Sequence, residues 1–326
     1  MAEMPGLEPA AVRFAGRPAR SSQNTTRSTA RTQRRQKIVL FCQARPCYGW
    51  GEMATTTDTK RKKTMETSTT GVLQDEVFCL KYEMSLLAGQ LLEHKLERWI
   101  EGFTAPEIHI EHMQRYDFAS RFTEGRRVLD VACGTGRGSR VLAEKGAAAE
   151  VVGFDLDAST VRYAQIRNRH PRVRFDVADI QELGNCPDFD VVVCFETIEH
   201  ISRPDSFLSR LAAMLKSGGV LLVSTPVSAS EFDPKPPNQY HLQEWGCLAF
   251  QRLVSSKFHI RKIHLQYRPL PGFWTRARFL AKLRGQPMPT PVTPLWREFD
   301  AASFSLDNLD SPWAGFQILE CSAPQS

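Results

Sequence analysis

Between Arg127 and Ser224 the chain repeats one pattern, a short and nearly continuous apolar run followed by a segment with apolar residues at helical spacing. The runs are Arg127 to Val131, Glu150 to Phe154, Val173 to Val177, Phe189 to Phe195 and Gly219 to Ser224. Helices are expected over Gly138 to Lys145, Ala158 to Asn168 and Pro204 to Leu215. A strand that is apolar at successive rather than alternate positions must be covered on both faces. The repeat therefore predicts a parallel sheet sandwiched between helices.

The first turn of this repeat reads VLDVACGTGRG, from Val128 to Gly138. Glycines after a strand and before a helix stand where backbone comes close to a ligand, because no side chain obstructs the approach. The spacing is GxGxG, with Ser139 where a dinucleotide-binding loop has its third glycine, so a nicotinamide-dependent oxidoreductase is the weaker alternative. Two further acids end successive strands. Asp155 in VVGFDLD lies 21 residues after Gly134, where a carboxylate can accept both hydroxyls of a ribose, and Asp179 follows in VADI.

Composition narrows the partners. The net charge is +6, but residues 1–83 hold 14 basic and 8 acidic side chains, and the remainder has 28 of each. The excess therefore lies in a tail and gives the folded part no bulk attraction to phosphate, which favours a small-molecule partner over nucleic acid. Eight scattered cysteines form no CxxC pair, a usage that suits reduced thiols and a cytoplasmic location. No apolar run approaches the roughly 20 residues of a membrane span.

Residues 1–83 read as a disordered basic extension, rich in Arg, Ser, Thr and Pro. Its character is similar to an organelle transit peptide, an alternative to the cytoplasmic reading, while Met53, Met65 and Met84 offer later starts. From Met84 the spacing of Leu86, Leu87, Leu91, Leu92, Leu96 and Trp99 predicts a helix. A second is expected through Ile110, Met113, Phe118 and Ala119. Beyond Thr225 come a polar loop, a helix near Gln243 to Ser255 and a strand Phe258 to Tyr267. An irregular, proline-rich stretch of about 268–312 reads as a cap, with Trp245, Phe273, Trp274 and Trp296 as candidate pocket walls, and a last strand spans about 315–321.

As a set, VLDVACGTGRG, VVGFDLD, VADI, FDVVVCFETIEHI and LKSGGVLLVSTP resemble class I S-adenosylmethionine-dependent methyltransferases over about residues 107–267. The nearest subgroup is that of ubiquinone-biosynthesis O-methyltransferases and sugar or antibiotic tailoring methyltransferases. The resemblance implies a Rossmann-like α/β fold with a seven-stranded mixed sheet, six strands parallel and the last antiparallel, a helical lid before it and the cap inserted before the last strand. It also implies S-adenosyl-L-methionine as cofactor and a small-molecule hydroxyl or amine as acceptor. Gly134 and Gly136 would lie against the methionine part, Asp155 would bind the ribose, and Asp179 with Ile180 the adenine. Asp130, Ala132, Leu156 and Phe195 complete the expected cofactor set. Ala132 stands where glycine is common and Ser217 where proline is usual.

Past the fourth run comes Glu196-Thr197-Ile198-Glu199-His200, which as a helix would put Glu196, Glu199 and His200 on one face. Three roles compete for it. His200 could be a general base, since an imidazole titrates near working pH. Glu199 and His200, with Glu196 and His241, could instead hold a divalent cation that acidifies the acceptor. The third role is a hydrogen-bonded helix cap. The pattern ExxEH with a later His is similar to the metal site of small-RNA 3′-terminal methyltransferases, which makes an RNA 3′ end an alternative substrate. Cofactor binding without turnover is the remaining alternative. Upstream, Glu111, His112, Arg115 and Tyr116 share a helix, and Tyr116 is a candidate to close over the cofactor carboxylate.

Overall fold

The computed structural model describes residues 69–93, 98–182, 188–267, 283–284, 295–306 and 315–323. Most of the basic extension, Phe273, Trp274 and most of the cap lie outside these residues.

Two helices precede the sheet, α1 (Thr69–Glu93) and α2 (Pro106–Ala119). Then follow β1 (Arg127–Val131), α3 (Arg137–Glu144), β2 (Glu150–Asp155), α4 (Ala158–Arg167), β3 (Val173–Val177), β4 (Phe189–Cys194), α5 (Pro204–Met214) and β5 (Leu215–Pro226). A two-residue hairpin pairs β6 (Phe232–Asp233) with β7 (Glu244–Trp245). The chain continues through α6 (Cys247–Ser255), β8 (His259–Tyr267), β9 (Leu295–Asp300) and β10 (Phe316–Ser322).

The sheet runs β3-β2-β1-β4-β5-β10-β8-β9. The strands from β3 to β5 are mutually parallel, and β10 inserts antiparallel between β5 and β8. The mixed sheet with a reversed last strand is as expected, but among the described residues the sheet has eight strands rather than seven. The additional strand is β9, antiparallel to β8 through Lys262↔Asp300 to Tyr267↔Leu295. Its sequence, LWREFD, does not alternate, although Glu298 and Asp300 are exposed while Arg297 and Phe299 are half-buried. It lies inside the stretch read as cap.

The two-faced burial follows from side-chain alternation. On β4, Val192 and Cys194 join Phe207, Leu208 and Leu211 of α5 and Phe250 and Val254 of α6 in one cluster. Val191 and Val193 join Tyr116 and Phe118 of α2 and Val141 and Leu142 of α3 in the other. The three valines are fully buried, and each such side chain contributes about 1.5–3 kcal/mol.

Two boundaries differ from expectation. The first helix begins at Thr69, well before Met84, so the boundary at residue 83 falls inside an element. The reason is tertiary, because Cys79 and Tyr82 are buried against Tyr163 of α4. The helix expected from Gln243 starts at Cys247, since Glu244 and Trp245 are extended in the hairpin and Gly246 caps the helix. Among the described residues no helix is long and apolar enough to cross a membrane.

Candidate functional site

The glycine turn lies at the C-terminal end of β1. Ala132, Gly134 and Gly136 take φ of 54°, 55° and 82°, the left-handed region, which turns the chain sharply before α3. A Cβ on Gly136 would come within 2.6 Å of the Phe175 ring, so glycine is demanded there by packing as well as by backbone. Thr135 Oγ1 donates to the Trp99 carbonyl at 2.6 Å, and Asn168 Nδ2 donates to the Thr135 carbonyl at 2.7 Å. The loop is thus pinned from the lid and from α4. Thr135, Asn168 and Trp99 escaped sequence reading because these bonds join residues remote in the chain.

Asp155 closes the other side of the turn. Gly134 N–H donates to Asp155 Oδ2 at 3.0 Å and Asp157 N–H to Oδ1 at 2.9 Å, with Arg98 3.7 Å from Oδ1. Leu156, beside it, is 66% exposed, an apolar side chain left open at the lip of the turn. Ile180 is buried and the half-buried Asp179 accepts the Gln181 N–H at 2.9 Å. Ala132 is exposed on the loop.

Asp130 and Tyr116 meet inside the protein. Asp130 is fully buried and accepts Ser139 Oγ–H at 2.6 Å and Tyr116 O–H at 3.1 Å. Tyr116 therefore braces β1 from α2. Burial raises the Asp130 carboxyl to about 7, against the lowering effect of its two hydrogen bonds. Phe195 meets the Tyr116 ring edge-on at 5.4 Å, so it supports the brace from the end of β4.

Directly after Phe195 comes the second half of the site. Only Ile198–His200 form a single 3-10 turn, and Glu196 is left-handed at φ 49°. The three polar residues consequently do not share a helix face. Glu196 turns aside and accepts Ser224 Oγ–H at 2.6 Å. Glu199 is fully buried, one oxygen accepting Thr225 Oγ1–H at 3.1 Å and the other, Oε1, having no hydrogen-bond partner. Burial, reinforced by the Glu196 carboxylate, pushes the Glu199 carboxyl well above its usual range.

His241 arrives from the loop before β7. Leu242 N–H donates to the Glu199 carbonyl at 2.9 Å, which seats that loop on the turn. The rings of His200 and His241 stand edge-on with centroids 4.9 Å apart, and ligand atoms of Glu199, His200 and His241 lie within 4.8 Å of one another. His200 Nδ1 is 2.9 Å from the Tyr240 carbonyl and His241 Nδ1 is 2.6 Å from Glu244 Oε1. Those partners only accept, so each neutral ring carries its proton on Nδ1 and keeps a lone pair on Nε2. Asn238 Nδ2 donates to that of His241 at 2.9 Å. Two imidazoles oriented through Nδ1 beside a buried carboxylate oxygen in want of a partner would fit a divalent cation that displaced Asn238 from His241 Nε2. Glu196 is outside this group.

Residues 122–260 match the model of a family described as a methyltransferase domain. The matched stretch runs from the turn before β1 into β8 and so contains both the glycine turn and the Glu199 cluster. A Mycolicibacterium smegmatis protein named "probable S-adenosylmethionine-dependent methyltransferase" is 38% identical over 165 residues, 49% of this chain and 62% of that one. A ubiquinone biosynthesis O-methyltransferase of Bordetella avium is 35% identical over 106 residues, 31% of this chain and 43% of its own length. The chain thus spans less than two thirds of these relatives. A solved N-methyltransferase, NodS of Bradyrhizobium japonicum with S-adenosyl-L-homocysteine, superposes with a TM-score of 0.47 at 13% identity over 76% of this chain and 98% of that one.

Two of the candidate aromatic pocket walls are among the described residues, and both pack against other aromatic rings. Trp245 is buried in the core against Phe250, and Trp296 packs on Phe118 and His264 near the sheet edge. The described cysteines of the chain, Cys79, Cys133, Cys194, Cys247 and Cys321, are all buried thiols.

Proposed function

We propose that the chain transfers the methyl group of S-adenosylmethionine to a hydroxyl of a small-molecule acceptor, with Glu199, His200 and His241 holding a divalent cation at the acceptor side. The observation that carries this reading is the adjacency of two half-sites. The Gly134 to Gly136 turn follows β1, and the Glu199 cluster follows β4, its hydrogen-bonded neighbour through Val131↔Cys194. Both lie at the C-terminal edge of the parallel strands, where open α/β sheets bind ligands.

Bound S-adenosylmethionine supplies an electrophilic methyl group on a sulfonium, so the protein's work is alignment and proton removal. Gly134 and Gly136 admit the methionine part to the backbone. Asp155, already held by two backbone N–H groups, presents its carboxylate to the ribose hydroxyls. Leu156 and Ile180 offer apolar surface to the adenine, and Asp179 a polar edge. Glu199, His200 and His241 would hold the cation, which would supply acidification of a coordinated acceptor hydroxyl. The equal numbers of acidic and basic side chains beyond residue 83 support a small acceptor over a polyanion.

Calorimetric titration with S-adenosylhomocysteine and with NAD(H) tests the cofactor half. Tight NAD(H) binding without S-adenosylhomocysteine binding overturns the reading. Labelled methyl transfer to a panel of hydroxyl, amine and RNA 3′-end acceptors, with and without chelator, tests the other half. Chelator-insensitive transfer to amines alone removes the cation and the hydroxyl from the proposal.

A further inference from the structure

Helix α1 has two apolar faces, and α4 covers one. On that face Tyr82 meets Tyr163 with ring centroids 4.8 Å apart, and its hydroxyl is 2.7 Å from Thr160 Oγ1. The other face exposes Leu73 60%, Val77 48%, Leu80 48%, Met84 69% and Leu87 37%. The intervals between these five residues alternate four and three. At about 100° per residue, they line one stripe on the side opposite Cys79, Tyr82 and Leu86. A monomer surface rarely concentrates large side chains this way. The period of 3.5 is that of a seam between two helices.

We infer that α1 is a dimerisation helix, pairing in parallel and in register with α1 of a second copy of this chain. With Val77 and Met84 at a positions and Leu73, Leu80 and Leu87 at d positions, Glu76 falls at g and Lys81 at the next e. In a parallel pair g meets e of the following heptad, so Glu76 of each copy faces Lys81 of the other, twice by symmetry. An antiparallel pair that keeps the seam sets Lys81 against its own copy. Charge complementarity selects the parallel arrangement. Lys81 is exposed, and Glu76 accepts two guanidinium N–H groups of Arg167 at 2.7 and 2.9 Å while its side chain stays 48% exposed.

A seam of under three heptads is marginal for isolated peptides. Here α1 is already ordered by α4, so association bears little of the ordering cost.

Sedimentation equilibrium on the full chain tests this. The expected mass is that of two chains. Leu80→Glu with Met84→Glu should reduce it to one, leaving far-UV circular dichroism unchanged because the Tyr82 face is untouched. Lys81→Glu should weaken the dimer about fivefold, and adding Glu76→Lys should restore it. Leu80→Cys should give a disulfide-linked dimer on oxidation, which an antiparallel pair does not. A wild-type chain that sediments as a monomer at micromolar concentration overturns the inference. So does a dimer that survives Leu80→Glu with Met84→Glu.

Discussion

Gly138 lies beneath the ring of Tyr116, where a Cβ would stand 2.0 Å from Tyr116 Cζ. The glycine therefore exists for an internal contact, letting α3 approach α2 closely enough for Tyr116 to reach Asp130. The third glycine of the GxGxG pattern is thus a packing residue. Gly138→Ala should displace Tyr116 and cost about 1–3 kcal/mol, read as a lower urea midpoint. Tyr116→Ala with Gly138→Ala should cost less than the sum of the two single changes, since the clash disappears with the ring.

Asp130 makes the fold pH-dependent. Its folded pKa of about 7 lies above the ordinary 3.8 of an aspartate, so between these values the folded state holds a proton that the unfolded chain has lost. Its contribution to stability is complete below about pH 4 and declines by about 1.4 kcal/mol per unit as pH rises towards 7. The groups facing it are Tyr116, Ser139 and, more distantly, Asp155. In Asp130→Asn the slope of unfolding free energy against pH over this window should be shallower than in the wild type. An unchanged slope assigns the dependence to other groups.

Ala132 and Gly134 share nearly the same left-handed φ but differ in side chain. Ala132→Gly should relieve strain and leave stability equal or higher by up to about 1 kcal/mol, whereas Gly134→Ala should lose about 1 kcal/mol. Nothing lies within 4 Å of a Cβ at 134, so that loss is conformational. Thermal melts of both variants decide this. A lower melting temperature for Ala132→Gly means that the alanine methyl has a packing role.

Glu244 orients the candidate cation site without being part of it. Its carboxylate fixes the His241 tautomer from 2.6 Å. Glu244→Gln should weaken Mn2+ or Zn2+ binding about 10–100-fold, measured by calorimetry, with Glu199→Gln weakening it further. Equal cation affinity in wild type and both variants leaves His200 and His241 with a structural role only.

The apolar runs and the strand-end acids were readable in the sequence because burial on both faces and a turn at a strand end leave local marks. The strand spans from Arg127 to Cys194 agree with expectation to within about a residue. The eighth strand was not readable, since LWREFD has the pattern of any exposed segment until β8 offers it an edge. Nor was the start of α1, whose apolar residues serve two partners and so blur the single-faced periodicity that reveals a helix. At the site, sequence spacing suggested a helical face for Glu196, Glu199 and His200, and the left-handed backbone at Glu196 removed the first of them. The sequence by itself determined which chemistry-bearing residues stand at the ends of β1, β2 and β4. Only the tertiary structure decided their work. Asp130 turned inward because Tyr116 and Ser139 reach it, and His241 joined Glu199 because a backbone hydrogen bond from Leu242 closes a loop that no local pattern encodes.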